Sequence, residues 1–112
     1  MIYKILPRGD WAAALRVGRY EGSALDLADG FIHFSTADQA GETAAKHFAG
    51  QADLTVLAVE AASLGPALKW EPSRGGALFP HLYGALACNS VVAVRTAPLG
   101  PGGVPDLGLS VR

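Results

Sequence analysis

Gly30-Phe31-Ile32-His33-Phe34-Ser35-Thr36-Ala37-Asp38-Gln39 contains the change of period that decides the fold. Phe31 to Phe34 reads as a strand, with Phe31 and His33 on one face and Ile32 and Phe34 on the other. Thr36 followed three places later by Gln39 is a capping-box pattern, so a helix is expected to open directly behind that strand. Ala40, Ala44, Ala45 and Phe48 have core-facing spacing on this helix, and Gly50 is expected to close it. A strand that ends in an imidazole and two hydroxyls at a helix start is one place where chemistry and architecture meet.

Working outward, Ile2 to Leu6 alternates apolar and polar residues and stops at Pro7, which predicts a short strand. Asp10 is placed to cap a helix through Trp11 to Leu15, which Gly18 would end. Tyr20 to Gly30 reads as a turn-rich connection, with Ser23 and Asp26 as local caps. On the other side, Leu54 to Val59 is apolar and β-branched and predicts a central strand. Gly65-Pro66 marks a turn within Ala62 to Ala67, and Leu68 to Glu71 is a short extended piece before Pro72 and a Ser73–Gly76 loop. Phe79-Pro80-His81-Leu82-Tyr83-Gly84 is an aromatic segment that is neither a clean helix nor a clean strand. Val91 to Val94, extending toward Thr96, is the last well-marked strand. These elements predict one compact α+β domain over residues 1–98, with a mixed or antiparallel sheet and two main helices. Residues 99–112 read as a Gly/Pro-rich tail with an edge strand at Leu107 to Val111.

Composition narrows the classes of function. The 112 residues are 50% hydrophobic and 17% charged, which excludes a disordered chain. The nine basic residues are scattered and the net charge is −1, so a nucleic-acid partner is disfavoured. A single cysteine, Cys88, cannot form an internal disulfide, and no apolar run reaches the length of a membrane span. Together with an N-terminus lacking the apolar core of a signal peptide, this predicts a cytoplasmic protein without a membrane segment. His33, His47, His81 and Cys88 form no ligand-spaced pair, so no metal site is expected.

Three segments remain as candidates. His33 with Ser35 and Thr36 could seat an anion at the helix start and move a proton, or could simply be a half-buried histidine beside a helix cap. Glu71 beside Trp70 could be an acid–base carboxylate in an apolar pocket, or an exposed residue before a turn. Phe79, His81 and Tyr83 suit a pocket wall, though aromatic packing around a turn would give the same pattern.

Taken together, the Ile-Tyr-Lys-Ile strand, the Gly30–Thr36 segment, Lys69-Trp70-Glu71 and Phe79–Gly84 resemble a small bacterial family catalogued as domain of unknown function 952. That family is in turn similar to the ADP-ribosyltransferase superfamily, in which a split sheet grips NAD, and the Gly30–Ser35 segment looks like the matching part of its tRNA 2′-phosphotransferase branch. The resemblance implies NAD or an ADP-ribose-like small molecule as ligand, with transfer or hydrolysis at the ribose. It implies catalytic roles for His33, Glu71 and His81. Lys4, Ser35, Thr36, Gln39, Trp70, Phe79 and Tyr83 would bind the ligand. Lys4 stands where relatives usually carry histidine, and as a flexible cation it would hold a phosphate rather than copy an imidazole contact. The competing class is a non-catalytic binding or interaction module on the same fold. Convergence of His33 and Glu71 on one cleft would favour the enzyme; separation would favour the module.

Overall fold

A computed structural model describes residues 1–109. Every strand pairing among them is antiparallel, so the sheet content is not mixed. Leu54–Val59 (β4) forms the middle of the principal sheet, between Ile2–Pro7 (β1) and Val91–Ala97 (β8). β4 is buried on both faces, its apolar run interrupted only by Thr55, which is itself buried. Leu57 and Val59 join one core cluster with Ile2, Leu6, Trp11, Ile32 and Phe34. Leu54 and Val56 join another with Ile5, Ala40, Ala44 and Leu107. Period-two alternation therefore feeds two hydrophobic cores from one sheet, and each fully buried aliphatic side chain contributes about 1.5–3 kcal/mol.

Arg8–Val17 (α1) lays Trp11 and Ala14 on the first core and ends at Gly18, whose φ of +98° suits a residue without Cβ. The helix starts earlier than expected: Pro7 is the capping position, and Asp10 lies in the first turn, where its charge meets the positive end of the helix. Arg19–Tyr20 (β2) pairs with Leu86–Ala87 (β7). The supposed turn region then contains a helix, Ala24–Asp29 (α2), opened by a reciprocal capping box between Ser23 and Asp26. Gly30, at φ +88°, closes it.

Ile32–His33 (β3) pairs with Leu78–Leu82 (β6), which pairs in turn with Leu68–Pro72 (β5). The strand at Phe31–Phe34 is thus shorter than expected, because the chain crosses between sheets there. Ser35 exchanges backbone hydrogen bonds with Tyr3 of β1 at 2.7 and 2.9 Å. Segment β6 is a true strand despite Pro80. Phe34 N–H donates to the Pro80 carbonyl at 3.0 Å, just past the end of β3, so the missing proline N–H weakens only the last rung of that ladder.

Ala37–His47 (α3) follows with the expected capping box, Thr36 Oγ1 accepting from Gln39 N–H and Gln39 Oε1 accepting from Thr36 N–H. Ala40 and Ala44 are buried, but Ala45 is exposed, and the helix is capped at Phe48 rather than Gly50. In the tail, Leu107 is buried in the second core, and Leu107 to Leu109 form no strand. The remainder of the expected edge strand, residues 110–111, lies outside the described residues. No helix among those described is long and apolar enough to cross a membrane.

Candidate functional site

The site is built around a buried carboxylate that the sequence reading took only for a cap. Asp26 is 2% exposed and accepts four hydrogen bonds. Its Oδ2 takes the Lys4 ammonium at 2.8 Å and the Ser23 N–H at 2.9 Å. Its Oδ1 takes the His33 N–H at 3.1 Å and faces His33 Nδ1 at 2.6 Å. The capping box makes this geometry: it turns Asp26 back toward the start of α2, and the Gly30 turn then brings β3 alongside. Burial pushes the Asp26 carboxyl up, but the bonds from His33, Lys4 and Ser23 outweigh that and hold it well below the usual carboxylate range. Burial drives the Lys4 ammonium down from its ordinary value, with Asp26 opposing the shift.

His33 is gripped on both nitrogens. Asp29 Oδ2 lies 2.9 Å from Nε2, opposite the Asp26 contact on Nδ1. Ionised carboxylates only accept, so both contacts are hydrogen bonds at once only when the ring carries a proton on each nitrogen. The neighbouring His81 ring meets His33 edge-on, with centroids 5.5 Å apart, and Phe31 stacks on His81 at 4.0 Å. His81 Nδ1 is 2.8 Å from Glu71 Oε1, which also accepts the Tyr83 hydroxyl at 2.8 Å. These two bonds lower the Glu71 carboxyl below its ordinary value, and the bond to Glu71 raises the Tyr83 hydroxyl. Glu71 sits diagonally from His81 across the β5–β6 ladder, a distance that long side chains span.

A cavity of about 300 Å³ lies against these groups. It is lined by Lys4, Asp26, Asp29, His33, Ser35 and His81, by Thr43, Lys46 and His47 of α3, and by Phe79 and Ser73. Of the expected site residues, the fold therefore brings Lys4, His33, Ser35, Phe79 and His81 to one cavity. Glu71 stands behind His81, in contact with it rather than in the cavity lining. The other expected ligand contacts are placed elsewhere. The Thr36 hydroxyl and Gln39 carboxamide oxygen are used in the capping box, and Gln39 Nε2 donates to the Leu78 carbonyl at 2.7 Å. Trp70 is 45% and Tyr83 40% exposed, both outside the cavity wall. Lys4 is on the first strand as expected, but its ammonium is committed to Asp26. Ser35 Oγ shares a 2.9 Å hydrogen bond with Thr43 Oγ1. His47, on the exposed flank of α3, reaches the cavity rim. Among the described residues no three His, Cys, Asp or Glu side chains are arranged to hold a metal ion.

The fold and site define a compact antiparallel α+β domain with a histidine-lined cavity beside its split sheets. Residues 5–94 match the family model described as Protein of unknown function (DUF952), and the chain belongs to that family. It is similar to protein CC0527 from Caulobacter crescentus, whose crystal structure shares 61% identity over 96% of this chain and 94% of that one, with a TM-score of 0.93. A double mutant of the same protein superposes with a TM-score of 0.93 at 60% identity over the same shares of the two chains. Its solution NMR structure gives 0.86 at 61% identity, covering 96% of this chain and 92% of that one. Among curated proteins none matches.

Proposed function

We propose that this cavity binds an anionic ribosyl ligand, NAD or an ADP-ribose-like compound, and that the protein acts by transfer or hydrolysis at the ribose. The observation that carries the reading is the Tyr83–Glu71–His81 chain, which ends at a cavity that Lys46 and His47 also line. A carboxylate on Nδ1 fixes the imidazole orientation and tautomer and leaves Nε2 as the proton acceptor. His81 then takes the proton of an attacking water or hydroxyl as its oxygen bonds to the ribose C1′. The bond from C1′ to the nicotinamide nitrogen breaks, and nicotinamide leaves with the electron pair. Glu71 acts through His81, instead of stabilising the ribosyl cation itself. The cavity matches the lower end of ligand-pocket volumes, enough for a ribose phosphate with the rest of a dinucleotide extending outward. On this reading the split sheet is a distant counterpart of the ADP-ribosyltransferase fold, and the single thiol of Cys88 suits a reducing cytoplasm.

A second reading, a non-catalytic binding module, draws support from His33, whose two nitrogens are both engaged by carboxylates and so offer no free lone pair. Nicotinamide release from NAD separates the two. Wild type should release it, and His81→Ala and Glu71→Gln should lower the rate at least about 100-fold while the circular dichroism spectrum and melting temperature hold, in line with general acid–base contributions. Binding of ADP-ribose with no release by the wild type would assign the module instead.

A further inference from the structure

We propose that His33 Nε2 is an anion-binding position of the cavity that Asp29 occupies in the resting protein and that a ligand phosphate displaces. This rests on the reading that the cavity takes an anionic ligand, and it assigns the place where the phosphate is held.

The two carboxylates on His33 differ in how firmly they are fixed. Asp26 is buried and carries four hydrogen bonds, so withdrawing it would strand the Lys4 ammonium in a site only 8% exposed. The Asp29 side chain is 43% exposed, and its contact with His33 is its one side-chain interaction among the described residues. Asp29 is also the last residue of α2, and no basic residue lies in that turn. A carboxylate there faces the end of the helix where carbonyl oxygens concentrate negative charge, which disfavours it. Among the described residues, the His33 ring is the one side chain that holds Asp29 in place, and its exposed carboxylate is open to water.

Charge balance indicates what replaces it. With Asp29 in contact, the Lys4 ammonium and the His33 ring face two carboxylates. With Asp29 turned outward, Asp26 alone faces the Lys4 ammonium and the His33 ring, so one negative charge leaves the cavity. Lys46 and His47 line the same cavity from α3, as do Ser35 and Thr43, whose hydroxyls share a hydrogen bond. Asp26 keeps the ring oriented, so a phosphate oxygen arriving at Nε2 finds a pre-aimed, charge-assisted donor. The exchange swaps one acceptor for another and moves no proton and no covalent bond.

Calorimetric titration of the full chain and of Asp29→Ala with inorganic phosphate, and then with ADP-ribose, tests this. Asp29→Ala should bind phosphate roughly three- to tenfold more tightly than wild type, because an exposed competing ion pair and a nearby like charge are both removed. In both proteins, phosphate should shift the His33 ring nitrogen resonances saturably. Equal or weaker binding by Asp29→Ala, or no binding by either protein, would overturn the proposal. Tighter phosphate binding without nicotinamide release by any form would sustain it and remove only the catalytic reading. Nicotinamide release with phosphate affinity unchanged in Asp29→Ala would do the reverse.

Discussion

Replacing Asp26 by alanine removes the acceptor for one ammonium, one imidazole and two backbone N–H groups in a single step. The Lys4 side chain, 8% exposed, would remain beside a cavity with no partner charge. Removing one member of a buried ion pair typically costs about 3–5 kcal/mol, because the other charge stays desolvated. A domain of this size has about 5–15 kcal/mol of stability to begin with, so Asp26→Ala should lose about a fifth or more of it. With a urea dependence of about 2 kcal/mol per molar, the unfolding midpoint should fall by about 2 M. Urea titration followed by tryptophan fluorescence measures this directly, since Trp11 is in the first core. The double variant Lys4→Met with Asp26→Leu removes both charges and should recover much of the loss, because no uncompensated ion remains. A loss under about 1 kcal/mol for Asp26→Ala would refute the claim that this carboxylate organises the site.

Three further outcomes follow from the same geometry. Because the Asp26 carboxyl is held below its unfolded value, its contribution to stability is fully present above that value, near 4, and fades as pH falls through it toward the folded one. Unfolding free energy measured from pH 7 to pH 2 should therefore be nearly flat above about pH 5 and decline below, and a profile flat to pH 2 would contradict the assignment. Tyr20 is 5% exposed and its hydroxyl has no hydrogen-bond partner among the described residues, so Tyr20→Phe should raise stability by about 1 kcal/mol in thermal unfolding; a clear loss would reveal a partner for that oxygen. Gly22 has φ +115°, and a Cβ there would stand 2.8 Å from Asp26 Cβ. Gly22→Ala should cost about 1–3 kcal/mol by calorimetry, and a neutral result would show that the loop before α2 can move aside freely.

The parts of this fold that were legible in the sequence are those set by neighbours along the chain. The Thr36–Gln39 capping box and the β4 run lie where the pattern put them, because capping and alternation act over three or four residues. Helix α2 was read as a turn because it is six residues long and exposes Leu25 and Leu27, so it presents no apolar stripe; the Ser23-x-x-Asp26 spacing was its one legible signal. Strand β6 was obscured by Pro80, whose tolerance depends on β3 ending beside it, a tertiary fact. The site shows the same division. His33, His81, Ser35 and Phe79 stood out by residue type. Asp26 and Asp29 did not, because the Lys4–Asp26 bond spans 22 positions and exists only once β1 and α2 are assembled. Lys46 and Ser73 likewise reach the cavity only through the packing of α3 and the β5–β6 turn.

The measurement that tests the central claim most directly is an amide NMR titration of the labelled protein with ADP-ribose. Saturable shifts should concentrate at Lys4, Asp26 to Ser35, Thr43 to His47 and Phe79 to His81, and leave the exposed face of β8 still. No shifts at millimolar ADP-ribose, or shifts confined to residues remote from His33 and His81, would contradict the account.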